Sequence, residues 1–315
     1  MAELDRSGNW EREILEKLAL ATFKEQRAAR RWGIFFKILW FVFLFAVLAI
    51  MMGWTGNANM DISGKHTALV EIKGTIGADQ VSADQIIAGL QAAFKDKDTQ
   101  GVILRINSPG GSPVQAGQIY DEMKRLRLKY PNIPLYVVVD DLCASGGYYV
   151  ASAADKIFVD KASLVGSIGV LMDGFGFTGA MDKLGVERRL LTAGANKGFL
   201  DPFSPANPQQ EIYAKQMLEE IHQQFIQAVR SGRGNRLKET PDMFSGLVWT
   251  GAESIQLGLA DGLGSASSVA RDVIHAEKIV DYTPEEGFAD RFAKHFGMAL
   301  GKNVNPLAFM GMTLH

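Results

Sequence analysis

A serine followed by two glycines stands at the predicted junction of a strand and a helix. The residues Leu135–Val139 are typical of a buried strand, and the small apolar residues after Ser145 are typical of a helix start. Glycines let another backbone approach closely, and N–H groups at a helix start can stabilise an anion. The pattern therefore fits a nucleophilic serine beside an oxyanion site, or a serine that only caps the helix.

A serine nucleophile needs a base. None of the five histidines lies in a glycine-rich loop or at the end of a predicted strand, so a Ser-His-Asp triad has little support. Lys197 lies between Gly194 and Gly198, after a predicted strand at 186–192. A lysine there could reach back to Ser145 and act as a base if it were buried away from water. The alternative is an ordinary solvated loop lysine.

A second pair of glycines follows another predicted strand. Gly110 and Gly111 come after the strand 101–107 and before a helix that begins at Pro113. Their N–H groups could supply a second oxyanion donor, or the pair could be only a tight turn. Cys143 is a rival nucleophile, but a lone cysteine between apolar neighbours more often packs in a core.

The rest of this region alternates strands with helices, which is typical of an α/β fold with a largely buried sheet. Apolar periodicity places strands at 68–72, 101–107, 135–140, 156–159, 165–172 and 186–192. It places helices at 82–95, 113–129, 208–231, 252–257 and 265–277. A further amphipathic helix is predicted around Phe288, Phe292 and Phe296, which are spaced four apart.

Residues 32–54 are predicted to anchor the chain in a membrane. The run of nineteen residues from Ile34 to Met52 carries only the charge of Lys37. As a helix it spans about 28 Å, close to the thickness of the hydrocarbon core. Basic residues are concentrated before this run, so the positive-inside rule places the N-terminus in the cytoplasm and the rest outside it. We expect a single-pass protein of the inner or plasma membrane.

Five parts follow from these patterns. They are a cytoplasmic basic segment (1–31), the transmembrane anchor (32–54), a linker (55–66), a catalytic domain (67–280) and a C-terminal extension (281–315). The formal net charge of −2 offers no basic surface for nucleic acid. No metal or cofactor site is predicted.

Together these motifs resemble the signal peptide peptidase A family in its short form, which consists of membrane-bound Ser-Lys peptidases with the crotonase/caseinolytic-protease fold. The resemblance covers roughly residues 67–275. It lies in five stretches: Asn107–Gly111, Cys143–Tyr149, Gly166–Val170, Lys197 and Trp249–Gly264.

The resemblance implies a role for each matched site residue. Ser145 would be the nucleophile, Lys197 the general base and Ser167 the hydroxyl that positions the lysine, while Gly146 and Gly111 would donate N–H groups to the oxyanion. It also implies a ring-like homo-oligomer, in which serine and lysine belong to one subunit or meet across an interface. The expected substrates are remnant signal peptides or other hydrophobic or unfolded peptides. A crotonase-type acyl-CoA enzyme and a non-catalytic membrane scaffold are the alternatives.

Overall fold

The computed structural model describes Arg27 and residues 30–49, 64–78 and 80–284. The predicted helix around Phe288, Phe292 and Phe296 lies outside these residues, as does most of the basic segment and of the linker. The described chain belongs to two compact units: one contains residues 30–49, and the other covers Ile62–Pro284.

Helix α1 (Arg30–Ala49) is long and apolar enough to cross a membrane, and it is the one such helix among the described residues. Its large side chains are exposed; Phe41, for example, is 69% accessible. A helix that is apolar on all sides and buries none of them in protein is suited to a lipid environment. The helix therefore fits the predicted membrane anchor.

The second unit is built on a mostly parallel sheet. Its strands are β1 (His66–Lys73), β2 (Thr99–Ser108), β3 (Leu135–Ala144), β4 (Lys156–Val159), β5 (Leu164–Gly166), β6 (Val248–Thr250), β7 (Gly262–Leu263) and β8 (Ile279–Asp281). The order is β6-β5-β3-β2-β1-β8, with β4 pairing with both β3 and β7. Only the β5–β6 pair among these is antiparallel.

The helices of this unit are α2 (Ala83–Lys95), α3 (Pro113–Lys129), α4 (Gly146–Ala151), α5 (Thr178–Leu184), α6 (Pro208–Arg233), α7 (Gly251–Gln256) and α8 (Ala266–Ser268), which continues into a π-helical turn (Val269–Ile274). Local chemistry explains where the long ones begin. Ser82 and Gln85 form a reciprocal capping box at α2, and Pro113 opens α3 after the cap Ser112. The predicted bounds of α3 are confirmed.

Both faces of the central strands are buried, which explains their nearly continuous apolar sequences. On one face Leu104 and Val137 pack beneath the helices, together with Ile119 of α3. On the other, Ile103 and Val138 pack against the π-helical turn. Since side chains alternate along a strand, each face takes every second residue, and the α/β architecture follows.

Several predicted elements differ from the structure. The strand expected at 165–172 is only Leu164–Gly166, and the residues 186–192 form no strand. A strand needs a neighbour to satisfy its N–H and C=O groups, and no described strand lies beside 186–192. Helix α6 continues through Gly232, the helix expected at 265–277 ends at Ile274, and His66 is a buried residue of β1 rather than part of the linker.

A buried ion pair fixes the end of α6. The Arg233 side chain is fully buried and donates to both carboxylate oxygens of Asp261, at 2.8 and 2.9 Å. Asp261 also accepts from the backbone N–H of Ile157 in β4, at 2.7 Å. Burial raises the pKa of Asp261, but the hydrogen bonds and charge of Arg233 outweigh it and leave the pKa below its ordinary value. The pair thus connects α6, β4 and the loop before β7.

We expect Asp261→Asn to lower the free energy of unfolding by about 3 kcal/mol at neutral pH, because Arg233 is left buried without its counter-ion. The pKa of Asp261 is lower in the folded state, so its stabilisation is complete above the unfolded pKa and is lost as the pH falls through the folded one. The difference from wild type should therefore shrink below about pH 4. Urea unfolding of the full chain in detergent measures both effects.

The matched control is Glu239→Gln, which removes the half-exposed ion pair between Arg230 and Glu239. Exposed pairs contribute about 0–1 kcal/mol, so this variant should be nearly neutral. Equal losses in the two variants would contradict the role assigned to Asp261.

Candidate active site

Ser145 occupies a strained turn between β3 and α4. Its φ is 52° and its ψ is −123°, a conformation that costs a non-glycine residue about 1–3 kcal/mol. Its N–H donates to the Gly166 carbonyl at 2.9 Å, and its own carbonyl accepts from the N–H of Tyr149 at 2.9 Å. The side chain makes no capping hydrogen bond to α4. The capping alternative therefore does not describe this serine, whose hydroxyl remains available.

The Gly110–Gly111 turn packs directly against this serine. A Cβ on Gly110 would lie 2.7 Å from the Gly146 nitrogen and 2.8 Å from the Ser145 Cβ. Gly111 has φ of 143°, and a Cβ there would lie 2.1 Å from the Ile76 carbonyl oxygen. Only glycine allows so close an approach at these positions. The backbone N–H groups of Gly111 and Gly146 have no hydrogen-bond acceptor among the described residues, so both are free to bind an anion.

A cleft of about 700 Å³ opens over Ser145. The structure brings four of the five predicted site residues to its wall: Gly111, Ser145, Gly146 and Ser167. Ser167 has a positive φ of 50°, and its N–H donates to the Leu247 carbonyl at 2.7 Å. Much of the remaining wall is apolar, formed by Pro109, Pro113, Val114, Val170, Leu171, Ile221 and Phe225.

Helix α6 supplies a wall that the sequence did not reveal. The cleft is lined on this side by Ile221, Gln224 and Phe225. The Nε2 atom of His222 lies 3.1 Å from the Ile168 carbonyl oxygen. Because a carbonyl only accepts, Nε2 must carry the proton in this contact. His222 thus holds the backbone one residue after Ser167. In the sequence, the only signal for Ile221 and Phe225 is their spacing of four residues, which places them on one face of the helix.

Lys197 lies apart from this cleft. It belongs to an exposed segment, and it is not among the residues that line the cleft. Its ammonium has no hydrogen-bond or ion-pair partner in the part of the chain that the structure describes. The structure therefore brings Ser145 and the N–H groups of Gly111 and Gly146 together within one chain, and Lys197 is not beside them.

Cys143 has a structural position. Its side chain is fully buried, it pairs with Ser108 and Val165 in the sheet, and burial raises the pKa of its thiol. A buried thiol of raised pKa is a poor nucleophile at neutral pH. The expectation that this residue packs in the core is confirmed by its burial.

Comparisons with known proteins decide the family. The model of Peptidase family S49 matches residues 127–279, and that of Clp protease matches residues 56–163. The chain is 30% identical over 221 residues to the putative protease MJ0651 of Methanocaldococcus jannaschii, an alignment that covers 68% of this chain and 70% of that protein. The chain belongs to peptidase family S49, the signal peptide peptidase A family.

Other relatives match this chain over a smaller part of their own length. The putative signal peptide peptidase SppA of Enterococcus faecium is 28% identical over 205 residues, 65% of this chain and 59% of the relative. A Brucella abortus protein named Na(+)/H(+) antiporter NhaA is 43% identical over 218 residues, which are 69% of this chain and 29% of that protein. This chain therefore corresponds to less than a third of the length of that Brucella protein.

The comparisons confirm one expectation and support a second. The α/β, Clp-protease-like fold is the predicted fold class, and a serine peptidase is the activity that the family supports. The individual roles of Lys197, Ser167 and the oxyanion glycines stay predictions, as does the Ser-Lys dyad.

We expect Gly110→Ala to reduce peptidase activity at least about 100-fold, because a Cβ would displace Ser145 and Gly146 from their present contact and so move one oxyanion donor. Hydrolysis of a fluorescent casein by the full chain in detergent measures this. Gly117→Ala is the matched control: Gly117 lies in α3 with open space where a Cβ would stand, and alanine favours a helix. Full activity of Gly110→Ala would contradict the tight packing of this turn.

Proposed function

We propose that this member of family S49 is a membrane-anchored serine endopeptidase that cleaves hydrophobic or unfolded peptides, remnant signal peptides among them. The observation that carries the proposal is the strained Ser145, whose side chain makes no cap hydrogen bond and which adjoins the N–H groups of Gly146 and Gly111, neither with an acceptor among the described residues. A nucleophile next to preorganised donors is the arrangement that acyl transfer requires.

In the proposed mechanism Lys197 acts as the base. Its neutral amine takes the Ser145 proton while Oγ bonds to the peptide carbonyl carbon, and the carbonyl π electrons move onto oxygen. The N–H groups of Gly146 and Gly111 bind this oxyanion, each contributing about 100- to 1000-fold in rate. When the carbonyl re-forms, the C–N bond breaks and the leaving amine takes the proton from Lys197. Water, deprotonated by the same lysine, then bonds to the acyl carbon; the C–Oγ bond breaks, and Oγ takes the proton back from Lys197.

The cleft favours apolar side chains. Its walls include Val114, Val170, Leu171, Ile221 and Phe225, and an apolar pocket gains free energy by taking apolar groups out of water. The anchor helix α1 would hold such a site close to peptides left in a bilayer, with the N-terminus in the cytoplasm and the peptidase domain outside. Hydrophobic peptides are thus the substrate class that both units suit.

The lysine is proposed to come from a second copy of the chain. We name residues 172–207 the arm segment; it contains Lys197 and several strongly exposed apolar side chains. Phe175, Leu184 and Leu191 are 78%, 77% and 96% exposed. Apolar surface of this extent is usually covered by a partner. A copy that docks its arm segment near the cleft of its neighbour would cover both this surface and the amine, which must leave water to act as a base.

The dyad is tested by substitution. We expect Ser145→Ala and Lys197→Ala each to lower kcat by at least about 1000-fold, and Cys143→Ala to keep activity, since the thiol is buried. Cleavage of a hydrophobic peptide and labelling by a fluorophosphonate probe are measured on the full chain in detergent. Labelling of wild type but not of Ser145→Ala identifies the nucleophile. Full activity of Lys197→Ala would show that the base is another group, and an unlabelled, inactive wild type would favour the acyl-CoA or scaffold alternative.

Co-expression of two inactive variants tests where the dyad forms. If serine and lysine come from different copies, mixed assemblies of Ser145→Ala and Lys197→Ala recover about a quarter of wild-type activity, because random pairing places an intact serine beside an intact lysine in about one site of four. Each variant expressed alone is the control. An absence of recovery in assemblies shown to contain both variants would place the dyad within one chain.

A further inference from the structure

A second cavity continues the active-site cleft along the surface of the domain. It occupies about 900 Å³ between α3 and α6, and we name it the lateral groove. Tyr149 and Gln224 line both the groove and the cleft over Ser145, so the two spaces meet at these residues. A peptide bound at Ser145 therefore has a surface on which its flanking residues can lie.

The floor of the lateral groove is aromatic. The rings of Tyr120 and Tyr149 meet edge to face with centroids 5.3 Å apart, and Tyr149 lies 5.0 Å from Phe225 of the cleft wall. The hydroxyl of Tyr120 donates to the Ala228 carbonyl at 3.3 Å, which leaves its ring fixed between the helices. Aromatic faces attract cations as well as apolar stems.

The rim of the lateral groove is acidic. Asp121, Glu219 and Glu220 line it, against the single cation Lys124. Lys124 lies over the Tyr120 ring, with Nζ 5.8 Å from its centroid, and reaches Ser231 Oγ at 3.5 Å. Glu219 accepts from Gln223 Nε2 at 2.6 Å. Asp121 and Glu220 have no hydrogen-bond or ion-pair partner among the described residues. Burial and then the charge of Asp121 raise the pKa of Tyr149, so this tyrosine stays neutral and the carboxylates dominate the charge.

Resting on the proposed peptidase function, we propose that the lateral groove binds a basic segment of the substrate, with a lysine or arginine stem against the Tyr149 ring and the positive charges at Asp121 and Glu220. Apolar stem and cationic head match an aromatic floor with an acidic rim. Glu220 lies four residues before Gln224, where the groove meets the cleft, which is about 6 Å along α6 or the length of about two extended peptide residues; the cleft itself takes the residues nearest Ser145. The basic residues thus lie about three to five positions from the scissile bond.

The test uses the full chain in detergent and a set of peptides that share one apolar central segment. Each peptide carries two variable residues three to five positions from the cleavage point, on one side of it or on the other. Both variable residues are lysine in one version, glutamate in a second and serine in a third. For one of the two sides, we expect kcat/KM to be about three- to tenfold higher with lysine than with glutamate, and about 0.5 M salt to narrow this ratio.

Variants locate the preference. The double variant Asp121→Asn, Glu220→Gln keeps the shape of both side chains and should bring the ratio of kcat/KM between the lysine and glutamate peptides close to one. The single variant Glu220→Lys should reverse the preference, so that the glutamate peptide is cleaved faster. Glu277→Gln, an exposed carboxylate outside the groove, is the control and should keep the wild-type ratio. A preference that survives in the double variant would overturn the proposal, because another surface would then be responsible.

The outcome also separates this proposal from the one on which it rests. A wild type that cleaves the lysine, glutamate and serine peptides equally would overturn the lateral groove as a basic-segment site and leave the peptidase function intact. A wild type that cleaves none of them and is not labelled at Ser145 would overturn both.

Discussion

The conformation of Ser145 is the constraint on which the rest of the site depends. A residue with positive φ and a side chain is retained only where its surroundings fix it more firmly than the strain opposes it. Here β3 ends between β2 and β5, with Cys143 paired to Ser108 and Val165, and the Ser145 N–H bonded to Gly166. On the helix side, the buried Tyr148 donates to the Leu259 carbonyl at 2.8 Å. Both flanks of the serine are thus fixed by neighbours from distant parts of the chain.

The same network positions the walls of the cleft. A Cβ on Gly232 of α6 would lie 1.9 Å from the Ser152 carbonyl oxygen, so α6 meets the end of α4 at backbone distance. Arg233, the next residue, is held by Asp261 and through it by β4. Phe225 and His222 lie two to three turns earlier on this helix and are placed by this anchoring. The buried ion pair therefore bears on the geometry of the site, although it lies outside the cleft.

The sequence predicted the elements whose signals are local. The starts of α2 and α3 and the apolar runs of β1 to β3 are recognised within a few residues, and the serine with its glycines marks the candidate nucleophile. Features that depend on contacts between residues far apart in the sequence were either not predicted or predicted wrongly. Val186, Leu190 and Leu191 suggested a strand, but no described strand pairs with them. His222 was assigned to a helix without a role, because its contact with Ile168 joins residues far apart in sequence.

The distance between Ser145 and Lys197 within one chain has a physical consequence. Ser145 lies on rigid, buried elements, whereas Lys197 lies on an exposed arm segment whose large apolar side chains face solvent. An amine in water holds its proton and cannot serve as a base, so on our proposal an isolated copy would be inactive and docking of a second copy would both bury the apolar surface and desolvate the amine. The hydrophobic free energy of assembly would then drive the lysine out of water. Peptidase activity would be coupled to assembly, and an unassembled copy would be unable to cleave surrounding proteins.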